Sequence, residues 1–323
     1  MHGWILLDKP LGLGSTQGVS AVKRALREGG YGKFKVGHGG TLDPLATGVL
    51  PIAIGEATKL AGRMLDSDKV YDFTIGFGVQ TDTLDLEGRE VAVSEVRPTL
   101  AQVEAVLPRF TGPIAQVPPA YSALKVDGAR AYDLARTGEE VVLASRNVTI
   151  HSLLIRHPGL VPGSTSPIGK PSVVARWTPE QVRGDAQELV DEITLTAHVS
   201  KGTNIRSLAR DIAQALGTVG HDAMLRRTKA GPFTLESAIS LDKLADAAKA
   251  RSLEQLLLPL RAGLDDIPAL SLAPDQAGLL RRGQVLAGIA VDDGQYFAIL
   301  ADVPVALVEA QAGLVRVVRG FNL

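Results

Sequence analysis

The sequence predicts an α+β protein with one large domain and a smaller β-rich domain at the C-terminal end. At 323 residues the chain is longer than a single ordinary hydrophobic core requires. Segments with the alternating apolar pattern of strands recur between segments with the apolar spacing of amphipathic helices. From about Pro268 onward the pattern changes to short strands, which indicates a second domain.

Strands are predicted where apolar residues alternate with others over a short run. The alternation is clearest at Tyr71, Phe73, Ile75 and Phe77, which would share one face of a strand. A hairpin is indicated at Asp127-Gly128, a dipeptide that favours tight turns. In chain order, strands are predicted at 4–7, 71–78, 146–156, 193–199, 295–301, 305–309 and 314–318.

Helices are predicted where apolar residues recur at helical spacing, often after a capping residue. The first has Ser15 or Thr16 as its N-cap and ends at Gly29-Gly30. Thr99 is expected to cap another. In chain order, the other helices are predicted at 55–66, 98–110, 129–137, 205–217 and 241–260. The segment 157–191 carries neither period, and loops of this length are usually functional or disordered.

Composition excludes several kinds of site. The chain has no cysteine, which excludes disulfides, thiolate zinc sites and cysteine nucleophiles. Its six histidines show no His-x-x-x-His spacing, so neither a metal site nor a cofactor is expected. With a net charge of −1, any RNA site would be a local patch on a neutral whole. The sequence shows neither a signal peptide nor a membrane span, which predicts a cytoplasmic protein.

The segment from Val36 to Lys59 is the most informative part of the chain. A rigid loop is predicted in its first half, because glycines permit positive φ and prolines restrict the backbone. Asp43 lies in this loop before Pro44, which favours an extended backbone for the aspartate. The glycine spacing fits neither a Walker A loop nor a dinucleotide fingerprint, and an isolated Asp-Pro pair is usually a turn.

This segment resembles the catalytic motif of the bacterial tRNA pseudouridine synthase B family. The family pattern, Gly-His-x-Gly-x-Leu-Asp-Pro-x-Ala-x-Gly-x-Leu-Pro followed by Gly-Glu-Ala-Thr-Lys, matches from Gly37 to Lys59 with few departures. The resemblance spans most of the chain up to Arg227 and is weaker beyond it. Other family motifs are similar to Asp8 to Ser15, Asp68 to Tyr71, Gln116 to Gly128, Ser200 to Arg206 and Met224 to Thr228.

The resemblance implies the pseudouridine synthase fold, in which helices flank a mixed, mainly antiparallel central sheet. It implies a catalytic domain at 1–245, with 157–191 as an insertion, and a linker at 246–267. The last domain, 268–323, would be a small PUA-like β-barrel that binds RNA. A β-rich appendage without RNA contact is the alternative for those residues.

The resemblance also assigns site residues. Asp43 would be the catalytic carboxylate, and Arg206 the arginine that pairs with it. Arg206 also stands in the first turn of a predicted helix, where the helix dipole disfavours a cation, so an acidic partner is expected. His38 would fill the space left by the flipped uridine, and Tyr71 and Leu225 would contact the target base. Asp85 would hydrogen-bond RNA or organise its neighbours. Lys59 and Asn204 complete the set of expected substrate-binding residues.

Asn204 departs from the family pattern, which usually has tyrosine at this position. Asparagine can hydrogen-bond but offers no aromatic face, and base stacking on an aromatic side chain is worth about 1–3 kcal/mol. Either Tyr71 suffices for stacking, or binding near the target is weaker. Without the resemblance, Tyr71 would be interpreted as a core residue and His38 as a structural one. Residues 80–88 would be an acidic turn, without the spacing of an EF-hand.

The implied reaction converts the T-loop uridine of tRNA, at position 55, into pseudouridine. The glycosidic bond from N1 to C1′ breaks, the base rotates, and it rejoins the sugar through C5. This chemistry needs a carboxylate beside C1′ and no cofactor. An aspartate is ordinarily ionised at neutral pH, and a guanidinium nearby favours that form. The expected partner is tRNA, bound through its T-loop and acceptor arm by a monomer.

Other functions are less consistent with these motifs. The chain could be a tRNA-binding folding helper in which catalysis is secondary. The RNA-guided rRNA branch of the superfamily shares the aspartate motif, but residues 55–59 and 200–203 favour the stand-alone tRNA branch. An Asp–His hydrolase is not supported, because no serine or cysteine nucleophile is recognisable beside a base.

Overall fold

The computed structural model describes residues 1–119, 125–126, 129–130, 143–156 and 188–323. The chain divides into two compact units. Met1–Ser67 and Thr228–Leu323 form the first unit, and Asp68–Arg227 form the second. The domain boundaries expected from the sequence, at 245 and 268, stay predictions. In the part of the chain that is described, no helix is long and apolar enough to cross a membrane.

The first unit begins with a small antiparallel arrangement around a buried strand. Strand β1 (Gly3–Lys9) pairs with β3 (Ala46–Ile54), which also pairs with β2 (Val36–His38). Helix α1 (Ser15–Glu28) connects β1 to β2, and a 3-10 turn (Gly55–Leu60) leads into α2 (Ala61–Asp66). The prediction of a loop in the first half of the 36–59 segment is therefore wrong for residues 36–38, which form a strand because they pair with the backbone of β3.

In the second unit, antiparallel strands neighbour one another in the order β4 (Lys69–Phe77), β11 (Glu192–Val199), β10 (Arg146–Ile155) and β7 (Gly112–Gln116). Two short hairpins pair β5 (Val79–Thr81) with β6 (Glu90–Val93), and β8 (Lys125–Val126) with β9 (Ala129–Arg130). The strands around Asp127-Gly128 thus agree with the predicted hairpin. The helix predicted at 129–137 is wrong at residues 129–130, which form β9, and its other residues lie outside the described part of the chain. Nearly all of the predicted insertion at 157–191 also lies outside it.

Two helices cover one face of this sheet. They are α3 (Leu100–Val106), which continues as a 3-10 turn to Phe110, and α4 (Ile205–Ala215). Thr99 caps α3 as predicted, accepting a hydrogen bond from the N–H of Gln102 at 3.2 Å. The shared core contains Phe73, Ile75, Phe77, Val103, Ile150, Leu195, Val199, Leu208 and Ile212, so the predicted alternation of β4 is confirmed. Strand β12 (Gly220–Ala230) follows α4.

The C-terminal part of the first unit contains β13 (Phe233–Thr234), α5 (Leu241–Lys249) and a five-stranded sheet. The helix predicted at 241–260 ends at Lys249, because Arg251 adopts a positive φ of 53°. Two 3-10 turns follow it. The sheet has the order β14 (Ala269–Ser271), β16 (Gly294–Leu300), β17 (Val303–Gln311), β18 (Leu314–Gly320) and β15 (Leu286–Ala287), with α6 (Pro274–Arg281) after β14. The three C-terminal strands predicted from alternation are confirmed, and the curled sheet is consistent with a PUA-like domain.

Candidate active site

The backbone before Asp43 is fixed by the side chain of Ser15. The Ser15 hydroxyl donates to the carbonyl oxygen of Leu42 at 2.9 Å and accepts from the Leu42 N–H at 2.8 Å. Both residues are buried. The prediction that Ser15 or Thr16 caps α1 is wrong, because Gly14 is the N-cap and Ser15 is the first helical residue. The hydroxyl of Ser15 instead holds the loop one residue before the aspartate.

The backbone after Asp43 is fixed by Lys9, a fully buried lysine at the end of β1. Its ammonium group donates to the carbonyl oxygens of Leu13 at 2.6 Å, Pro10 at 3.1 Å and Pro44 at 3.2 Å. The N–H of Gly12 donates to the same Pro44 oxygen at 2.9 Å. Three carbonyl acceptors compensate in part for the removal of this charge from water. The motif from Asp8 to Ser15 therefore supports the Asp43 loop through its side chains.

Asp43 itself is exposed at the start of a tight turn. Its carbonyl oxygen accepts from the N–H of Ala46 at 3.0 Å, with Pro44 at the second position of the turn, where proline is favoured. Gly40 has a φ of 136°, which a residue with a side chain rarely adopts. His38 ends β2 opposite Ile52. Asp-Pro is thus a turn as well as part of a motif, and the turn presents the aspartate at the surface.

Lys59 and Glu56 hold the C-terminal end of the chain. The Lys59 ammonium contacts the Glu56 carboxylate at 2.7 Å and donates to the carbonyl oxygen of Gly320 at 2.9 Å. Glu56 also accepts from the N–H of Asn322 at 2.8 Å. Burial opposes ionisation of Glu56, but the hydrogen bonds from Lys59 and Asn322 outweigh it and hold the pKa of Glu56 below its ordinary value of 4.5. In this arrangement Lys59 connects two parts of the first unit.

In the second unit, Arg206 at the start of α4 forms an ion pair with Asp85. Nη1 of Arg206 lies 2.8 Å from Oδ2 of Asp85 and also donates to the carbonyl oxygen of Thr83 at 3.0 Å. The side chains of the pair are only 10% and 12% exposed. The expectation that a cation in this first turn has an acidic partner is therefore confirmed. The pairing of Arg206 with Asp43 that the resemblance implies stays a prediction.

The loop that carries Asp85 is held by its own hydrogen bonds. Oδ1 of Asp85 accepts from the Thr83 hydroxyl and from the N–H of Glu87 at 3.0 Å. The N–H of Asp222 in β12 donates to the carbonyl oxygen of Leu84 at 3.0 Å. Leu84 is buried with a φ of 63°, an unusual value for a residue with a side chain. Asp85 thus organises its neighbours, which is one of the two roles that the sequence analysis left open for it.

Asn204 is the N-cap of α4. Its Oδ1 accepts from the N–H of Ser207 at 2.8 Å. The backbone of Asn204 is in turn bonded twice by the buried Gln116 side chain, which accepts from its N–H at 3.1 Å and donates to its carbonyl oxygen at 3.3 Å. The asparagine that replaces the family tyrosine therefore has a structural role next to Arg206.

Tyr71 and Leu225 both pack against the core of the second unit and are half-buried. Tyr71 lies in β4 opposite Ala197 of β11, and Leu225 lies in β12. A half-buried ring is compatible with both the core interpretation of Tyr71 and contact with a base. The core interpretation made without the resemblance is correct as far as packing goes.

The predicted site residues fall into two groups. Asp43, His38 and Lys59 lie in the first unit, and Tyr71, Asp85, Asn204, Arg206 and Leu225 lie in the second. Of these, the structure joins Arg206 to Asp85 directly. It adds contacts that the sequence analysis did not predict, namely those made by the side chains of Lys9, Ser15, Thr83 and Gln116. An apolar periodicity in the sequence could not have predicted these contacts, because they join polar atoms, most of them in different elements.

Comparisons with known proteins agree with these motifs. Residues 25–158 match the family model described as TruB family pseudouridylate synthase, N-terminal domain. Residues 206–265 match the model described as tRNA pseudouridylate synthase B, C-terminal domain.

The chain is also similar to curated proteins and solved structures. It is 62% identical to tRNA pseudouridine synthase B of Novosphingobium aromaticivorans, covering 100% of this chain and 98% of that protein. It is 54% identical to tRNA pseudouridine synthase B of Zymomonas mobilis, covering 100% and 96%. In fold it resembles a chain of an H/ACA RNP bound to a substrate RNA containing 2′-deoxyuridine, with a TM-score of 0.69 and 22% identity over 99% of this chain and 85% of that chain. A chain of the archaeal box H/ACA sRNP Nop10-Cbf5 complex gives a TM-score of 0.66 at 21% identity, covering 99% and 86%. The chain belongs to the TruB family of pseudouridylate synthases.

Proposed function

We propose that this enzyme isomerises the T-loop uridine at position 55 of tRNA to pseudouridine, with Asp43 as the carboxylate that acts at the glycosidic carbon. Membership of the family makes the chain an isomerase that converts uridine in tRNA to pseudouridine. The observation that carries the assignment of Asp43 is its setting: an exposed carboxylate on a backbone held by buried Ser15 and Lys9. The folding-helper alternative is not favoured, because the relatives are named as synthases.

The reaction needs a carboxylate that can approach C1′ of the flipped nucleotide. The N1–C1′ bond breaks, C1′ bonds to C5, the proton on C5 leaves to solvent, and N1 takes up a proton, so nothing is oxidised or reduced. A carboxylate can attack C1′, attack the ring, or remove the proton from C2′, and Asp43 is suited to each. A fixed backbone on either side of Asp43 reduces the freedom that the reacting carboxylate must lose.

The other site residues act on the substrate around Asp43. We assign Tyr71 and Leu225 to contacts with the target base, and His38 to the space that the uridine leaves when it flips. Extruding a base costs a few kcal/mol, and contacts with the extruded base offset that cost. Unpaired loop bases are the usual targets of sequence-specific RNA recognition, which fits a T-loop substrate.

The C-terminal sheet, 268–323, is assigned to tRNA binding near the acceptor arm. It carries exposed arginines that can contact phosphates, which are Arg281, Arg282, Arg316 and Arg319. We further propose that the enzyme acts as a monomer in the cytoplasm, where its tRNA substrate is found.

Tritium release from C5-labelled uridine tests the assignment of Asp43. Wild type and Asp43→Asn are incubated with an unmodified tRNA transcript, and tRNA binding is measured for both by gel shift. We expect the variant to lose at least about 10³-fold in rate, because it lacks the reacting carboxylate, while its affinity for tRNA stays the same. Asp242→Asn is the matched control, since Asp242 is an exposed aspartate in the first turn of α5, and its rate should equal that of wild type.

Two outcomes would contradict the proposal. Release by Asp43→Asn at the wild-type rate would remove Asp43 from the chemistry. Wild-type protein that binds tRNA without releasing tritium would favour the folding-helper function. A transcript with cytidine at position 55 tests the target itself, because unchanged release from that transcript would place the modified uridine elsewhere.

A further inference from the structure

We propose that Asp68, His151 and His198 form a binding site for a divalent first-row transition metal, with Zn²⁺ as the best-fitting ion. All three belong to the second unit. Asp68 immediately precedes β4, and the two histidines lie on β10 and β11. Sequence spacing gives no sign of the site, because the three residues are far apart in the chain.

The three side chains already converge. Nε2 of His151 lies 3.2 Å from Oδ2 of Asp68, and Nε2 of His198 lies 3.8 Å from the same oxygen. One ligand atom from each residue lies within 4.8 Å of the other two. Tetrahedral zinc with bonds of about 2.0–2.2 Å places its ligand atoms about 3.3 Å apart, so small side-chain rotations would complete the geometry. The side chains are between 37% and 49% exposed, which leaves room for these rotations.

A β-bulge brings the two histidines together. Ile150 pairs with Val199 and Ser152 pairs with His198, so His151 is the extra residue between them. A bulge redirects the side chain of its extra residue and is a feature that a fold maintains rather than a defect. The two imidazole rings lie 4.8 Å apart with an angle of 47° between their planes. The bulge thus places His151 beside His198 in the pairing of β10 with β11, and the ring distance shows that the two side chains are neighbours.

The donor set selects the class of ligand. Two imidazoles with one carboxylate suit zinc and neighbouring transition metals, whereas Mg²⁺ and Ca²⁺ prefer oxygen ligands. The carboxylate disfavours an anion such as a phosphate at the same place, since two like charges would meet. Three protein ligands leave at least one position for water or a further ligand. A bound ion would connect β10 and β11 with the start of β4, three residues before Tyr71.

Isothermal titration of the untagged full-length protein with ZnCl2 tests the proposal, with visible spectra of the Co²⁺-loaded protein as a second readout. We expect a single strong site per chain, d–d absorption bands typical of nitrogen and oxygen ligands, and a rise in melting temperature with Zn²⁺. Loss even of an outer-shell partner weakens metal sites by about 10- to 100-fold, so His151→Gln and His198→Gln should each weaken binding by at least about tenfold.

Two control variants exclude other histidines. His221→Gln removes a histidine of the same unit whose Nδ1 lies 2.9 Å from the Val79 carbonyl oxygen, and it should bind Zn²⁺ as wild type does. His2→Gln removes the histidine beside the terminal amine, another possible metal ligand, and it should also keep the site. All four variants should retain wild-type pseudouridine formation, since none of these histidines belongs to the proposed catalytic machinery.

Three results would overturn the proposal. They are the absence of Zn²⁺ binding by wild type in the titration, equal binding by wild type and the double variant His151→Gln/His198→Gln, and loss of binding in His2→Gln alone. Because metal binding and tritium release are measured separately, failure of this site leaves the assignment of Asp43 intact. Failure of the Asp43 test likewise leaves this site intact.

Discussion

The segment around Asp43 and the region around Arg206 hold their functional groups in opposite ways. Around Asp43, the side chains of Ser15 and Lys9 bond to backbone atoms of the loop, and the aspartate is exposed. Around Arg206, two charged side chains bond to each other and are almost entirely buried. In the first region the bonds from Ser15 and Lys9 fix the backbone, whereas in the second region the ion pair fixes the side chains themselves.

This difference separates a reacting group from a supporting one. A carboxylate that must meet C1′ of a nucleotide has to be reachable, so its position is best controlled through the backbone. The Arg206–Asp85 pair has little exposure to solvent, and its members are satisfied by each other, by the Thr83 carbonyl and hydroxyl, and by the Glu87 N–H. Such pairs are expensive to break, because the remaining partner stays buried and charged.

The largest effect on stability is expected from Asp85→Asn, which removes a buried carboxylate that pairs with Arg206. Removing one partner of a buried ion pair typically costs about 3–5 kcal/mol. We therefore expect a fall of that order in the free energy of unfolding, measured by urea denaturation, together with reduced tritium release.

Asp82→Asn is the control for that change. Asp82 lies in the same loop, and its carboxylate accepts from the Arg89 N–H at 3.0 Å. Its variant should lie within about 0.5 kcal/mol of wild type, because this hydrogen bond is exposed and the asparagine oxygen can still accept it. Equal losses in the free energy of unfolding for Asp85→Asn and Asp82→Asn would show that the buried Arg206–Asp85 ion pair does not stabilise the second unit, which would contradict the proposed difference between the two regions.

A smaller loss of stability but a clear loss of activity is expected from Ser15→Ala. The variant leaves the buried Leu42 N–H without the hydroxyl acceptor, which costs about 1–3 kcal/mol. It also loosens the backbone before Asp43, and misplacement of a reacting group by about 1 Å can reduce the rate by about 10²-fold. Parallel measurements of urea denaturation and of kcat for tritium release would separate the two effects.

Ser20→Ala is the matched control, because Ser20 is an exposed residue of the same helix whose hydroxyl donates to the Thr16 carbonyl oxygen at 3.0 Å. It should leave both stability and kcat near wild-type values. If Ser15→Ala reduced stability without reducing kcat, the proposal that this hydroxyl positions the reacting aspartate would be wrong.

Much of the fold could be predicted from local patterns. Alternation identified β4 and β11, because each has one face on a core, and β10 and the three C-terminal strands were also predicted from their sequence segments. Local patterns failed where tertiary contacts override them. Residues 36–38 form a strand because β3 lies beside them, and residues 241–260 do not form one helix, because Arg251 turns the backbone.

The site was predictable as a set of residues but not as a set of contacts. The motif around Asp43 was recognisable because its residues are contiguous. Its supports, Ser15 and Lys9, belong to another motif, and only the folded chain shows that they bond to Leu42 and Pro44. Arg206 could be expected to have an acidic partner from its place in the helix, but Asp85 could not be derived as that partner from the dipole argument alone.

The smallest effect concerns Asn204, whose two interpretations make different predictions. As the N-cap of α4 it accepts from the Ser207 N–H, and Asn204→Ala should lower the free energy of unfolding by about 1 kcal/mol, whereas Asn204→Ser should preserve it. If the cap is its main role, tRNA affinity in a gel shift should be the same for both variants and for wild type. Equal weakening of tRNA binding in both variants would instead show that the amide contacts RNA.

Asn204→Tyr completes the test, because a ring that stacks on a base should strengthen binding by up to about 1–3 kcal/mol while the helix loses its cap. An increase in affinity with a decrease in stability would mean that this chain has an N-cap next to Arg206 where its family usually has an aromatic contact.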